Sequence, residues 1–481
     1  MRNLFLFLLI PSLTFGQKSW SKLLPGIGTF SSPRLTDLNR DGVKDIVLGA
    51  GRLEFQRCDS AIIALDGKTG ELLWNRPATD QIFGSAALKD MNGDGIEDVF
   101  INGRSSELQA IDGATGWVIW KFDTLNHPNK HWFNFYNPQF IHDVDHDGTD
   151  DLLLANGGDI IVAPHNPNRR AGQLLILSSK TGKLLASAPM PDKKEIYMSV
   201  AVNPDSLHPE QSRIIFGTGG ETIGGNLFVG TVAMVVNGDL SGAKTLVSCA
   251  GKGFIAPPVW ADLTQDGEKD IVVNSVDGRV MTFDGKTLRP LWTTRLPNTE
   301  AYSSMAIGFF NKDTVPDLFV SFAQGVWPNL TWTKQAMLNG IDGRIEFSDS
   351  LGFYQTSSPV VADLTEDGID EVILNVDYQL VDSLGLKSFS NTLMAIQFNT
   401  HTIAPLLDGV PGHNVSSTPW VGDLDNDGML DIVFCTGTNP RQTYTFDGMR
   451  VSKLGTNIPV SKRNQWGAYM GSRYDGVFRN R

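Results

Sequence analysis

Cysteine is nearly missing from this chain: Cys58, Cys249 and Cys435 are the only three in 481 residues, widely spaced and odd in number. That excludes a disulfide framework as the source of stability. One closed pair plus a free thiol, or three buried apolar thiols, both fit, and Cys435 inside Ile432-Val433-Phe434-Cys435 reads as core. Long apolar runs are scarce as well. The stretch from Leu4 to Ile10 is broken by Pro11 and Ser12, and no later run approaches the roughly 18 residues of a membrane-spanning helix. No segment sustains helical periodicity, which argues against a fold built on long helices. Basic charge is in deficit: the formal net charge of -13 argues against a nucleic-acid partner held by phosphate contacts.

What is present points to an exported β protein. The N-terminus MRNLFLFLLIPSLTFGQ has a basic residue, a short apolar stretch and then small or polar residues, the layout of a secretory signal peptide. We expect residues 1–17 to be that signal and 18–481 to form a single domain, periplasmic, cell-surface or secreted. No cysteine stands near the expected cleavage point to carry a lipid anchor. With 49 Gly and 24 Pro at 41% hydrophobic content, the chain favours many turns and an all-β fold.

Acidic nonapeptides recur without gaps: DLNRDGVKD from Asp37, DMNGDGIED from Asp90, DVDHDGTDD from Asp143, DLTQDGEKD from Asp262, DLTEDGIDE from Asp363 and DLDNDGMLD from Asp423. A degraded copy, FFNKDTVPD, starts at Phe309, and a unit without the acidic loop is expected near Ser199. The spacing makes eight units of roughly 55 residues. In each, a lead-in enters the loop, a short β-branched run follows, and a further pair of strands flanks a turn, as in SAIIALDGKTGELLW. About four strands per unit, repeated without helices, predict an eight-bladed β-propeller of four-stranded antiparallel blades. Seven blades remain the alternative if one unit is split between the termini. Trp74, Trp120 and Trp292 recur at one position and are expected to pack between blades. The tail QWGAYMGSRYDGVF from Gln465 is expected to supply a closing strand or to pack beside the first blade.

In DxDxDGxxD a sharp turn at Gly lets the first, third, fifth and ninth side chains converge. Oxygen ligands of this number and charge suit Ca²⁺. The last acid at the ninth position, with a strand after it, excludes an EF-hand, whose last acid is at the twelfth before a helix. The expected ligands are Asp37, Asn39, Asp41 and Asp45; Asp90, Asn92, Asp94 and Asp98; Asp143, Asp145, Asp147 and Asp151; Asp262, Thr264, Asp266 and Asp270; Asp363, Thr365, Asp367 and Glu371; and Asp423, Asp425, Asp427 and Asp431. The loops at Asp143 and Asp423 carry four carboxylates and should bind most tightly; Thr264 and Thr365 mark weaker sites, and the degraded loop is not expected to hold a metal. Six structural calcium ions would add about +12, offsetting nearly all of the net -13.

These loops resemble the calcium loops of FG-GAP, or VCBS-type, repeats, as in the propeller of integrin α-chains, over nearly the whole mature chain. ALDGKTGELLW from Ala64 and AIDGATGWVIW from Ala110 also resemble the blade motif of quinoprotein dehydrogenases, A-x-D-x-x-T-G-x-x-x-W. The first resemblance implies a secreted, calcium-binding, non-catalytic binding, adhesion or scaffold module with a protein or glycan partner. The alternatives are a quinone-dependent dehydrogenase, in whose relatives a vicinal cysteine pair is common and absent here, and a calcium-dependent polysaccharide lyase. Candidate ligand-face residues lie in insertions: His127, His131, Trp132 and Tyr136 in LNHPNKHWFNFYNPQ, which either stack on sugars or plug the channel, and Arg169 and Arg170 in HNPNRRAG. The Gly-rich stretch from Gly217, with Glu221, lacks the helix and Lys-Ser/Thr ending of a phosphate loop.

Overall fold

The β-branched runs after the acidic loops become strands buried along their whole length: Asp45–Gly49, Asp98–Asn102, Asp151–Gly157 and Asp270–Ser275. A strand covered on both faces needs no polar alternation, and its sequence reads as a continuous apolar run. Outer strands such as Val118–Lys121 and Pro290–Arg295 are largely exposed. In this computed structural model, which describes residues 19–122, 134–159, 162–353, 357–442, 444–461 and 464–479, the strands form eight antiparallel sheets. The fold is an eight-bladed β-propeller. The inner strands are Arg34–Thr36, Ala87–Lys89, Gln139–Ile141, Ala201–Asn203, Val259–Ala261, Ala306–Gly308, Val360–Ala362 and Trp420–Gly422, and they number blades 1 to 8. The expected signal peptide, and His127, His131 and Trp132, lie outside the described residues. Among the described residues no helix is long and apolar enough to cross a membrane.

Blade 8 is the unit split between the termini, yet the count stays at eight. Its sheet runs Trp420–Gly422, Met429–Gly437, Gly448–Pro459 and then Trp20–Pro25 from the start of the chain. The register runs from Trp20 opposite Lys453 to Pro25 opposite Gly448. The closing strand is therefore N-terminal, so of the two roles expected of the C-terminal tail, a closing strand or packing beside the first blade, it does not take the first. Blade 4, which lacks the acidic loop, has a 3-10 turn at Pro209–Gln211 in its place and a short helix, Val232–Val236, after its third strand. All three cysteines are free and buried.

Tryptophans join successive blades. The indole N–H of Trp74 donates to the Gly113 carbonyl at 2.9 Å, Trp120 to Ser179 at 2.7 Å and Trp292 to Gly340 at 2.9 Å, each in the following blade. Trp20, on the closing strand of blade 8, does the same to Gly67 of blade 1 at 2.9 Å. Each ring lies on a glycine of the next turn: a Cβ at Gly70, Gly116, Gly182 or Gly343 would come within 2.6 Å of it. These glycines also have φ of +69 to +74°, so both space and backbone require them.

The C-terminal tail fills the axial channel. Inner strands present an unpaired backbone edge to the axis, and buried N–H groups need partners. The tail supplies them: Val361 N–H donates to Trp466 O (3.0 Å), Val421 N–H to Gly467 O (2.6 Å) and Trp260 N–H to Gly476 O (2.9 Å), while Phe478 N–H donates to Trp260 O (2.7 Å). Arg34 of blade 1, 1% exposed, donates to the Tyr469 carbonyl at 2.8 Å and lies 4.0 Å from the Tyr474 ring centre. Packing beside the first blade is thus one part of a plug that touches inner strands around the ring. Trp466 is 1% exposed and donates to Met305 O at 3.2 Å. Trp466→Ala should cost roughly 3–5 kcal/mol, read as a lowered urea midpoint; a change within about 0.5 kcal/mol would mean that the plug is dispensable.

Candidate metal loops and the channel mouth

Strand order sets which loops share a face. The acidic loops join first to second strands and the Asp-Gly turns join third to fourth strands, so both lie at one end of the blades. The described blade-to-blade connections and the described part of the inserted loop before Gln173 lie at the other.

Each acidic loop folds on its own carboxylates. The first-position acid accepts the backbone N–H of the sixth residue: Asp37 from Gly42 (3.0 Å), Asp90 from Gly95 (2.8 Å), Asp143 from Gly148 (2.8 Å), Asp262 from Gly267 (3.1 Å), Asp363 from Gly368 (3.1 Å) and Asp423 from Gly428 (3.0 Å). Those glycines have φ between +82 and +92°, the turn that the sequence pattern requires. The fourth position is left-handed too, at φ of 58 to 60° in Arg40, His146, Gln265, Glu366 and Asn426. Sequence reasoning missed this, since those side chains share no type that favours it; only Gly93 in blade 2 gives a signal.

The ninth acid is a buried clip. One of its oxygens accepts the second-position N–H, as Asp45 does from Leu38 at 2.8 Å and Asp151 from Val144 at 2.7 Å. In blades 1, 2, 5 and 6 the other accepts a glycine N–H from the turn between strands three and four: Gly67 to Asp45 (2.9 Å), Gly113 to Asp98 (3.1 Å), Gly285 to Asp270 (2.8 Å) and Gly340 to Asp317 (3.0 Å). A Cβ on those glycines would sit 1.9–2.1 Å from the carbonyl just before the ninth acid. Burial pushes the acids up, Asp45 and Asp151 to about 6 and Glu371 to about 7.

Three loop-bearing blades lack that glycine, and the second oxygen fares differently in each. In blade 7, Glu371 accepts from the Thr365 hydroxyl at 3.3 Å. In blade 8, Asp431 Oδ1 lies 3.2 Å from Lys453 Nζ. In blade 3, Ser179 stands at the glycine position, and Asp151 Oδ1 is buried without a hydrogen-bond partner. Among the described residues, two acidic groups bring their oxygens within 4.8 Å of one another: Asp143, Asp145 and Asp151, and Asp423, Asp425 and Asp431. Asp147 and Asp427 stand outside these groups, each with one oxygen on a seventh-position N–H, Thr149 at 3.0 Å and Met429 at 2.8 Å. The remaining expected ligands at Asp37–Asp45, Asp90–Asp98, Asp262–Asp270 and Asp363–Glu371 form no such acidic group among the described residues. The third-position amides Asn39 and Asn92 turn instead to Asp66 and Asp112 of the neighbouring turns, at 3.0 Å each. The degraded loop of blade 6 is stitched by amides, Asn311 Nδ2 to Asp317 Oδ1 (3.3 Å) and Asn339 Nδ2 to Asp313 Oδ2 (3.2 Å).

At the opposite end the channel opens into a mouth of about 250 Å³. Phe30, Phe83, Tyr136, Tyr197 and Tyr302 ring it, hydroxyls such as Ser32, Ser85, Ser304 and Ser358 lie within, and Tyr469 of the tail contributes to its lining. The hydroxyls also couple blades: Thr418 N–H donates to Ser32 Oγ, and Ser304 N–H to Ser358 Oγ, both at 3.0 Å. Cations near the mouth are paired. Arg169, with 7% of its side chain exposed, lies 2.8 Å from Glu195, and Lys252 lies 2.6 Å from Glu300. Burial raises the Glu195 carboxyl while Arg169 opposes the shift. Tyr136 is buried and Arg170 is exposed, its backbone N–H on Asp159 Oδ2 at 3.3 Å.

A family model described as the FAM234A/B beta-propeller matches residues 20–205. The chain is 22% identical over 382 residues to Protein FAM234B of Homo sapiens, covering 73% of this chain and 57% of that protein. Protein FAM234B of Mus musculus is 26% identical over 157 residues, 30% of this chain and 24% of the relative. The chain thus spans little more than half of these relatives at most. Among solved structures, the quinohemoprotein alcohol dehydrogenase from Comamonas testosteroni is similar with a TM-score of 0.58 at 13% identity, covering 94% of this chain and 78% of that one. BamB from Moraxella catarrhalis gives 0.51 at 12%, covering 92% and 99%. At such identities the likeness is one of fold.

Asp317 in blade 6 is pushed up to about 8 by burial, with Asp313 and Glu346 adding repulsion. The unfolded carboxyl ionises near pH 4, so between about 4 and about 8 the native state holds a proton that the unfolded state has lost, and stability falls as pH rises through that window. Asp317→Asn, uncharged at every pH, should flatten the fall measured by urea denaturation in chelator, by at most roughly 1.4 kcal/mol per pH unit. An unchanged slope would assign the titration to other groups.

Proposed function

We propose that this chain is an exported, calcium-stabilised, FG-GAP-like propeller that acts as a non-catalytic binding or scaffold module for a protein or glycan partner. The observation that carries this reading is the separation of the two candidate sites. The acidic loops lie at one end of the blades and the mouth at the other, a strand length away, on the order of 15–20 Å. A quinone-dependent dehydrogenase or a calcium-dependent lyase needs its calcium beside the reacting group. Here the plug lies between them, and the cations Arg104, Arg169 and Lys252 are committed to Glu54, Glu195 and Glu300. The mouth's aromatic and hydroxyl lining suits recognition by stacking and hydrogen bonding.

The donor set of blade 3 fits calcium best. Asp143, Asp145 and Asp151 would hold the ion, and the buried, unpartnered Asp151 Oδ1 supplies an oxygen that calls for a cation. Bound calcium would offset two of the loop's negative charges and cross-link its two arms; the chain's own residues set the loop's shape through backbone N–H donors already in place. The remaining loops, whose ninth acids are already doubly hydrogen-bonded, rank below it.

Metal analysis of the purified protein should find calcium, and a chelator should lower its melting temperature. Asp145→Ala should remove the tightest site from a calcium titration while leaving apo stability within about 0.5 kcal/mol. Quinone-dependent dye reduction and formation of unsaturated uronates should both be blank in calcium. A protein without calcium and indifferent to chelator would sink the metal part of this reading; turnover in either assay would sink the non-catalytic part.

A further inference from the structure

Lys453 occupies a position that no other loop-bearing blade gives to a charged residue. It lies on the third strand of blade 8, opposite Val433, two residues past the ninth acid Asp431. The residues at the same register are Ala64 in blade 1, Ala110 in blade 2, Ile176 in blade 3, Thr282 in blade 5, Met337 in blade 6 and Ala395 in blade 7. Its side chain is 2% exposed, and Nζ lies 3.3 Å from Asp425 Oδ2 and 3.2 Å from Asp431 Oδ1. Those are the third- and ninth-position acids of one of the two groups close enough to hold a metal. The second cation near this loop, Lys44, donates to the Asp423 backbone carbonyl at 3.0 Å and leaves the carboxylates to Lys453.

We propose that the Lys453 ammonium takes the place of the metal in blade 8, so that the loop Asp423–Asp431, the most ligand-rich in sequence beside that of blade 3, holds no calcium. This rests on the calcium reading for the other loops. A lysine buried this deeply is stable only with its charge paired, and the carboxylates it pairs with are those a calcium ion would need. A divalent ion entering the same oxygens would meet a fixed positive charge within a few Å and would have to displace it into a buried site without another partner. Blade 3 differs at the ninth acid: the equivalent side chain is the apolar Ile176 and Asp151 Oδ1 has no partner among the described residues, whereas in blade 8 Lys453 pairs with the ninth acid and Oδ1 of the first acid, Asp423, is unpartnered.

The placement has a consequence for assembly. Lys453 pairs in register with Trp20, so the strand that carries this internal cation also receives the closing strand of the ring. The seam between the termini is therefore latched without metal, and calcium removal should loosen other blade edges before it opens the ring.

The test is calcium stoichiometry, by equilibrium dialysis with calcium alone, in the wild type, Lys453→Met and Asp425→Asn. Asp425→Asn in the otherwise native chain should leave the number of bound ions unchanged. Lys453→Met should gain one ion, and Lys453→Met with Asp425→Asn should lose it again. Loss of an ion in Asp425→Asn alone would overturn the proposal, and this arm holds even where Lys453→Met does not fold. A folded Lys453→Met that gains no ion would overturn it as well. If the wild type binds no calcium, the reading of the other loops fails by itself, while a gained ion in Lys453→Met would still support the lysine's role.

Discussion

A buried carboxylate organises each loop-bearing blade, and in blades 1, 2, 5 and 6 backbone N–H groups satisfy both of its oxygens. Placed at the start of the second strand, it ties the acidic loop to the turn between the outer strands, and so fixes the end of the blade. Burying such a group is costly unless donors surround it. The fold meets this with backbone N–H groups, and the turn glycines exist because any Cβ there would collide with the carbonyl before the acid. Where the glycine is replaced, the second oxygen meets a hydroxyl in blade 7, an ammonium in blade 8 and, in blade 3, no partner among the described residues. The blades thus differ in how the second oxygen of the ninth acid is met as well as in how many acids their loops carry.

The same economy of donors shapes the axis. Inner strands end the sheets at the channel, and their N–H groups would be orphaned in a dry interior. The tail turns that edge into a set of paired positions and closes the core around Trp466 and Phe478. With the channel filled from the loop end, the mouth lies at the other end, ringed by aromatic residues such as Phe30, Phe83 and Tyr136. The acidic loops and the mouth are separated by the height of a blade.

Much of this was legible in the residues. The recurrence of DxDxDGxxD, the β-branched runs and the Asp-Gly turns point to the strand order, to eight blades with seven as the alternative, and to an inter-blade role for Trp74, Trp120 and Trp292. The tail was read less well. Gln465 to Phe478 has the aromatic content of a core segment, but nothing local distinguishes a strand at the rim from a plug on the axis. The loops at Asp423 and Asp143 look alike in sequence because both carry four carboxylates, and the lysine that separates them is 22 residues beyond the ninth acid, on the next strand.

The sequence by itself determined repeat number, strand order and the turn at each sixth-position glycine, because these follow from short-range periodicity and the φ that each residue type tolerates. Only the tertiary structure decided which carboxylate oxygens are satisfied, which indole reaches which carbonyl, and which terminus closes the ring. Each of those outcomes rests on a partner from another strand, another blade or the opposite end of the chain. No local pattern carries the position of that partner; the closing of the ring does.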